Sequence, residues 1–264
     1  MDDLYKTPSI YTKYQYFIKS HLSNTKNIDE LNFKSHPDYT YMLEHVDSSQ
    51  GQKYLDLISK EFPNISEDII QEFITLNDKI GKPIKCNIDK YNCSPTNFRY
   101  IYQANIILKY IDWSVQKKEV NILELGGGYG GLCLALHFFK RYYTHHIKSY
   151  TIVDLPEALE LDKVYLSSHG LFPELLSALN YGQDYSHDKD SSFFISCYCV
   201  SELDRNIRKK YREILFHKFS RGFIVWNNAG PHCDDNPLQE LGIHNCLIEF
   251  EKPQTGYSNR FIFF

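Results

Sequence analysis

Apolar and polar positions follow two different periods along this chain. In roughly the first 116 residues the period is helical. Behind Ser66, with Glu67 and Asp68 in a first turn where the helix dipole favours acid, Ile69, Ile70, Phe73, Ile74 and Leu76 recur at helical spacing until Gly81. Ser94 followed by Pro95 repeats the start signal. Phe98, Ile101, Tyr102, Asn105, Ile106, Tyr110 and Ile111 then carry a helix to about Trp113. Shorter amphipathic helices are expected over Ile10 to Leu22, Asp38 to Val46 and Gln50 to Phe62.

From Val120 the pattern changes to short apolar runs separated by helical stretches, the signature of a parallel sheet with crossover helices. The expected strands are Val120 to Leu125, Tyr150 to Asp154, Leu175 to Tyr181, Phe193 to Cys199, Gly222 to Asn227, and a closing pair near Cys246 to Phe250 and Arg260 to Phe264. Helices are expected between them over Tyr129 to Arg141, Pro156 to His169 and Asp204 to Phe219. This predicts an α/β fold with a Rossmann-like doubly wound sheet in residues 117–264, preceded by a helical extension over 1–116. Such a sheet binds ligands beyond the carboxyl ends of its strands, where the strand order reverses.

Composition narrows the functional classes. A formal net charge of −4 at pH 7 gives no electrostatic reason to expect nucleic acid as a partner. The longest apolar stretches are interrupted by polar residues well short of a membrane span, and the opening MDDLYKTPSIYTKY lacks the basic start and apolar core of a secretory leader. Seven cysteines without a CxxC pair read as reduced thiols of a cytoplasmic protein.

The strongest chemical signal is Glu124-Leu125-Gly126-Gly127-Gly128-Tyr129-Gly130-Gly131, which leaves an apolar strand and enters an apolar helix. Glycines let backbone approach a ligand closely, and a helix start offers free N–H groups. Gly126, Gly128 and Gly131 satisfy the dinucleotide pattern GxGxxG. Glu124 with Gly126, Gly128 and Gly130 satisfies the acidic-x-Gly-x-Gly-x-Gly pattern of S-adenosylmethionine-dependent enzymes. Asp154 ends the next strand, where a carboxylate can accept hydrogen bonds from ribose hydroxyls. Both ligand classes contain adenosine, so Asp154 does not separate them. Against an NAD(P)-dependent sugar oxidoreductase, no Tyr-x-x-x-Lys pair follows the fourth strand, and an acid two residues before the first glycine suits the methyl donor better.

The segments ELGGGYGG, TIVDLPEALEL (151–161), ISCYCVSEL (195–203) and RGFIVWNN (221–228), with IGKP (80–83) and SPTNFRY (94–100) upstream, resemble the sugar O-methyltransferase family of class I methyltransferases. The resemblance spans about residues 78–264. It implies a seven-stranded core ending in an antiparallel hairpin, S-adenosylmethionine as donor, S-adenosylhomocysteine as product, and a sugar or nucleotide-sugar hydroxyl as acceptor. One departure is Cys197-Tyr198-Cys199, where Asn or Ser is expected before the tyrosine.

Carried onto this chain, the resemblance assigns Glu124, Gly126, Gly127, Gly128 and Gly130 to the methionine end of the donor and Asp154, with neighbouring Leu155, to its ribose. Gln183 and Asp184 are candidates for adenine, with an ordinary polar turn as the alternative, and Tyr198 is a further candidate donor contact. Arg99 is a candidate for the donor's carboxylate or an acceptor phosphate, with an ordinary surface arginine as the alternative. Tyr100, Asn228 and Asp234 are candidate acceptor contacts. Glu202 and His232 are candidate general bases, since a sugar hydroxyl is a poor nucleophile while protonated. His232, Asp234 and Asp235 could instead hold a divalent cation, although their spacing matches no metal signature. The helical extension is expected to wall off the acceptor pocket. A homo-oligomer is compatible with all of this. A non-catalytic protein retaining only the adenosyl pocket is the third alternative.

Overall fold

The computed structural model describes residues 9–25, 27–227 and 240–264. Two compact units share the chain: Met1–Ile106, Gly128–Phe139 and Glu160–Leu171 form the first, and Ile107–Gly127, Lys140–Leu159 and Phe172–Phe264 the second.

The first unit contains α1 (Ser9–Asn24), α2 (Pro37–Thr40), α3 (Ser48–Glu61), α4 (Glu67–Asn77), the hairpin β1 (Cys86–Ile88) and β2 (Tyr91–Cys93), the start of α5 (Thr96–Ser114), α6 (Gly131–Phe139) and the later turns of α7 (Pro156–Ser168). Helix α3 opens on a capping box in which Asp47 accepts from the Gln50 N–H at 2.7 Å. Helix α4 stops at Asn77, ahead of the expected Gly81, because the Asp78 carboxylate is drawn to Ser94 N–H at 3.1 Å and the Asn97 amide at 2.7 Å. The helix expected over Asp38 to Val46 is a single turn, Pro37–Thr40. Beyond it the Leu43 carbonyl accepts from Arg99 at 2.8 Å and Glu44 accepts from Ser94 at 3.0 Å, tertiary partners that compete with helix propagation.

At the centre of this unit Lys34 is 1% exposed. Its Nζ lies 4.4 Å from the Tyr129 ring centroid and 4.9 Å from that of Tyr165, and it donates to the Asn77 carbonyl at 2.5 Å. Burial lowers its pKa to about 8, with the Glu44 and Asp78 carboxylates opposing the shift.

The second unit is built on seven strands: β3 (Glu119–Leu125), β4 (His146–Asp154), β5 (Glu174–Ser177), β6 (Ser192–Cys197), β7 (Gly222–Trp226), β8 (Leu247–Phe250) and β9 (Arg260–Phe263). Their order is β5-β4-β3-β6-β7-β9-β8. Every pairing from β5 through β7 is parallel, and β9 runs antiparallel between β7 and β8. This is the doubly wound α/β sheet expected from the alternating pattern, closed by the expected antiparallel pair. Residues 120–125 and the whole of β7 are buried, as continuous apolar runs in central strands require. Phe194, Ile224, Trp226, Leu215, Phe219 and Ile262 are among the core side chains, each contributing on the order of 1.5–3 kcal/mol by its burial.

In this unit the strand expected over Phe193 to Cys199 ends at Cys197, and two further elements are shorter by three residues or more. The strand expected over Leu175 to Tyr181 ends at Ser177, whose hydroxyl accepts from Leu179 N–H at 3.2 Å and starts a 3-10 turn, Ala178–Asn180. The helix expected over Asp204 to Phe219 is α9 (Arg205–Ile214), capped by the Asp204 carboxylate on the Asn206 N–H at 2.8 Å and followed by a 3-10 turn, Phe216–Lys218. A four-residue helix, α8 (Cys199–Glu202), follows β6 directly.

Candidate active site

The strand order reverses between β3 and β6, so a ligand crevice belongs at their carboxyl ends. Two tight turns meet there. Gly126 leaves β3 at φ +87°, and its N–H donates to the Val153 carbonyl of β4 at 2.9 Å. A Cβ on Gly126 would stand 2.3 Å from the Cys199 Cβ and 2.7 Å from its Sγ, so only glycine fits. The opposing turn is made by Tyr198, at φ +68°, a region that non-glycine residues enter at a cost of about 1–3 kcal/mol. The Tyr198 N–H donates to the Val225 carbonyl at 2.9 Å, and Ser201 Oγ donates to the Tyr198 carbonyl at 2.6 Å. Burial pushes the Cys199 thiol well above its usual pKa, with Asp154, Glu202 and Glu124 adding to the shift.

Asp154 is the last residue of β4, half-buried, with one carboxylate oxygen accepting from the Leu155 N–H at 2.7 Å. Glu124 is different in kind. It is 2% exposed and accepts from the Tyr150 hydroxyl at 2.8 Å. Burial raises its pKa to about 8; the Tyr150 hydrogen bond opposes this and the Asp154 charge adds to it. Burial thus favours the protonated form of this carboxyl inside the sheet edge.

Glu202, the last residue of α8, accepts from the Asn227 amide at 2.6 Å, while Ser201 Oγ accepts from the Asn227 N–H at 3.2 Å. These bonds tie the end of β7 to the turn after β6. Gly182 is buried beneath Val153, where a Cβ would lie 2.8 Å from the valine Cγ2, and the next two residues, Gln183 and Asp184, are exposed.

Within the second unit, then, Glu124, Gly126, Gly127, Asp154, Leu155, Tyr198 and Glu202 share one sheet edge with the turn bearing Gln183 and Asp184. Gly128, Gly130, Tyr100 and Arg99 belong to the first unit. There Gly128 and Gly130 have φ of +70° and +87°. Tyr100 packs on Gly131, where a Cβ would stand 2.6 Å from the phenol ring. Arg99 is 5% exposed and gives a hydrogen bond to the Leu43 carbonyl, so it is no surface arginine. Asn228, His232, Asp234 and Asp235 lie outside the described residues. Among the described residues no group of three His, Cys, Asp or Glu is placed to hold a metal ion, and no helix is long and apolar enough to cross a membrane.

Sequence reasoning missed Glu251. It follows β8, is 2% exposed, and accepts from the Tyr198 hydroxyl at 2.5 Å. An acid just after a closing strand carries no motif, and only the hairpin topology brings it to this edge.

The buried Glu124 sets a pH expectation. Its folded pKa of about 8 exceeds the ordinary value of 4.5, so the native state holds an extra proton between them. Stability should therefore fall as pH rises from about 4.5 to 8, by on the order of a few kcal/mol. Lys34 acts with the opposite sign in a separate window, since its folded pKa of about 8 lies below 10.5 and stability should climb between them. Chemical denaturation of Glu124→Gln against wild type across pH 5 to 10 checks this. The variant should lose the lower slope and keep the upper one; an unchanged lower slope would mean that Glu124 is ionised in the fold.

No known protein-family profile matches the chain, and no curated protein sequence does. Among solved structures, it is similar to an S-adenosylmethionine-dependent methyltransferase from Clostridium acetobutylicum, at 17% identity and a TM-score of 0.35 over 59% of this chain and 64% of that one. The chain thus spans a little under two thirds of that protein. An rRNA methylase from Streptococcus thermophilus aligns at 12% identity and a TM-score of 0.42, over 59% of this chain and 91% of that one. The mitomycin 7-O-methyltransferase MmcR aligns at 11% identity and a TM-score of 0.41, over 97% and 68%. The fold assignment rests on the strand order itself, which is that of the Rossmann-like seven-stranded sheet expected from the resemblance.

Proposed function

We propose that the chain is an S-adenosylmethionine-dependent O-methyltransferase whose acceptor is a hydroxyl of a sugar or nucleotide-sugar. The observation that carries this reading is the meeting of the Gly126 and Tyr198 turns beside Asp154 at the reversal of strand order. Two tight turns packed against each other at the strand ends, next to a strand-end carboxylate, fit an adenosyl ligand laid across that edge. Gly126 and Gly127 would take the methionine side, Asp154 and Leu155 the ribose, and Gln183 and Asp184 the adenine. When bound, the donor supplies a carbon already activated by its sulfonium. The protein's own task is to align the acceptor, exclude water and receive the hydroxyl proton. Glu202, oriented by the Asn227 amide, is the candidate proton acceptor. The sugar acceptor follows from the sequence resemblance.

Thermal-shift measurements with S-adenosylhomocysteine, S-adenosylmethionine, NAD+ and NADP+ test the reading. Selective binding at a hundredfold excess over Kd adds about 2.7 kcal/mol, a rise of several degrees for a chain of this length. A shift with the adenosyl-sulfur ligands alone supports the proposal. A shift with a nicotinamide dinucleotide alone overturns it in favour of a sugar oxidoreductase.

A further inference from the structure

We propose that Glu251 is a positioning residue for the donor site, holding the strained Tyr198 turn against the Gly126 loop; this rests on the donor-binding reading above. The topology supplies the placement. Strand β8 pairs with β9 antiparallel, and β9 pairs antiparallel with β7, so the connection between β8 and β9, residues 251–259, returns to the carboxyl edge of the parallel strands. Glu251 opens that connection and is 2% exposed.

Its carboxylate accepts four hydrogen bonds that divide between two structures. One oxygen takes the Tyr198 hydroxyl at 2.5 Å. The other takes the Thr255 N–H at 2.9 Å, the Thr255 hydroxyl at 2.6 Å and the Asn259 amide at 2.9 Å. A buried carboxylate with this many donors is fully satisfied and strongly held. It joins the hairpin connection to the phenol of Tyr198, whose backbone sits in an unfavourable region. Positive φ at Tyr198 carries the chain from β6 into α8 and places Cys199 against Gly126. Strain of this kind persists where the surroundings over-determine it, and Glu251 is the anchor furthest along the side chain. The same connection carries Tyr257, 93% exposed, so Glu251 also fixes the base of a loop that presents an aromatic ring to solvent.

The test uses the full chain and S-adenosylhomocysteine as the probe, with calorimetric Kd values taken at a temperature where every variant is folded. Glu251→Gln and Tyr198→Phe should each weaken binding about tenfold. The double variant should bind no worse than the weaker single one, because both substitutions break one link. Asp112→Asn serves as the control. It loosens a remote clasp, the Asp112 pair with His145 at 2.5 Å, and should lower the melting temperature while leaving Kd unchanged. Equal Kd for wild type, Glu251→Gln and Tyr198→Phe would overturn the positioning role and leave Glu251 as a structural clamp. Additive losses in the double variant would overturn it as well. A wild-type chain that fails to bind the probe would instead sink the donor-binding reading, and the positioning role with it.

Discussion

Gly126→Ala is expected to abolish S-adenosylhomocysteine binding and to lower the melting temperature by on the order of ten degrees. Two separate penalties meet at this position. The backbone at φ +87° lies in the left-handed region, where a side chain costs roughly 1–2 kcal/mol. The new Cβ would also lie 2.3 Å from the Cys199 Cβ, and forcing extra volume into a packed contact costs typically 1–3 kcal/mol. The contact cannot relax cheaply. Cys199 opens α8 straight after the Tyr198 turn, and that turn is fixed by backbone bonds to β7 and by the Ser201 hydroxyl. Relief must therefore come from moving the glycine loop, the surface on which the donor would lie. Differential scanning calorimetry and ligand titration check the two effects separately. Cys199→Gly in the same chain should restore part of the stability by removing the clash and leave the backbone penalty in place. Wild-type melting and wild-type binding in Gly126→Ala would show that the two turns are not packed as described.

How much of this was legible in the sequence depends on the range of the interaction. The sheet was readable because buried parallel strands demand continuous apolar runs, and Val120 to Leu125 and Gly222 to Trp226 supply them. The glycine loop and Asp154 were readable because one stretch of chain carries both the strand and the turn it feeds. The single turn at Pro37–Thr40 was not, since Arg99 and Ser94 end it from far along the chain. Nor was the hairpin of β1 and β2, whose strands are three residues each and show no alternation long enough to register. Lys34 follows the same logic. A lysine in a polar stretch reads as exposed, and only the fold wraps it in the Tyr129 and Tyr165 rings. At the site, residue types were visible and their states were not. Glu124 fits the acidic position of the motif, yet its burial raises its pKa to about 8, against the Tyr150 hydrogen bond. Glu251 had no local signal at all, because its role arises where the closing hairpin returns to the strand ends.

Asp154→Asn should separate ligand binding from folding more cleanly than any other substitution at this edge. One carboxylate oxygen accepts from the Leu155 N–H at 2.7 Å, and an asparagine Oδ1 can take that place. Half-exposed and at the end of β4, Asp154 supports little packing, so the melting temperature should move by no more than a degree or two. Its proposed duty toward a ribose is large. Charge-assisted hydrogen bonds are worth about 1.5–3 kcal/mol each, and the amide keeps only one acceptor oxygen, without charge. A loss of about 2–3 kcal/mol, roughly 30- to 150-fold in Kd for S-adenosylhomocysteine, follows. An internal check comes from Glu124, whose raised pKa is owed in part to the Asp154 charge. With that charge removed, the Glu124 pKa should drop, and the stability slope between about pH 4.5 and 8 should flatten from its upper end. Weakened binding with this flattened slope and an unchanged melting temperature would identify Asp154 as a ligand group. Unchanged binding with the same flattened slope would show that the carboxylate senses Glu124 without touching the donor, and the ribose assignment would fall.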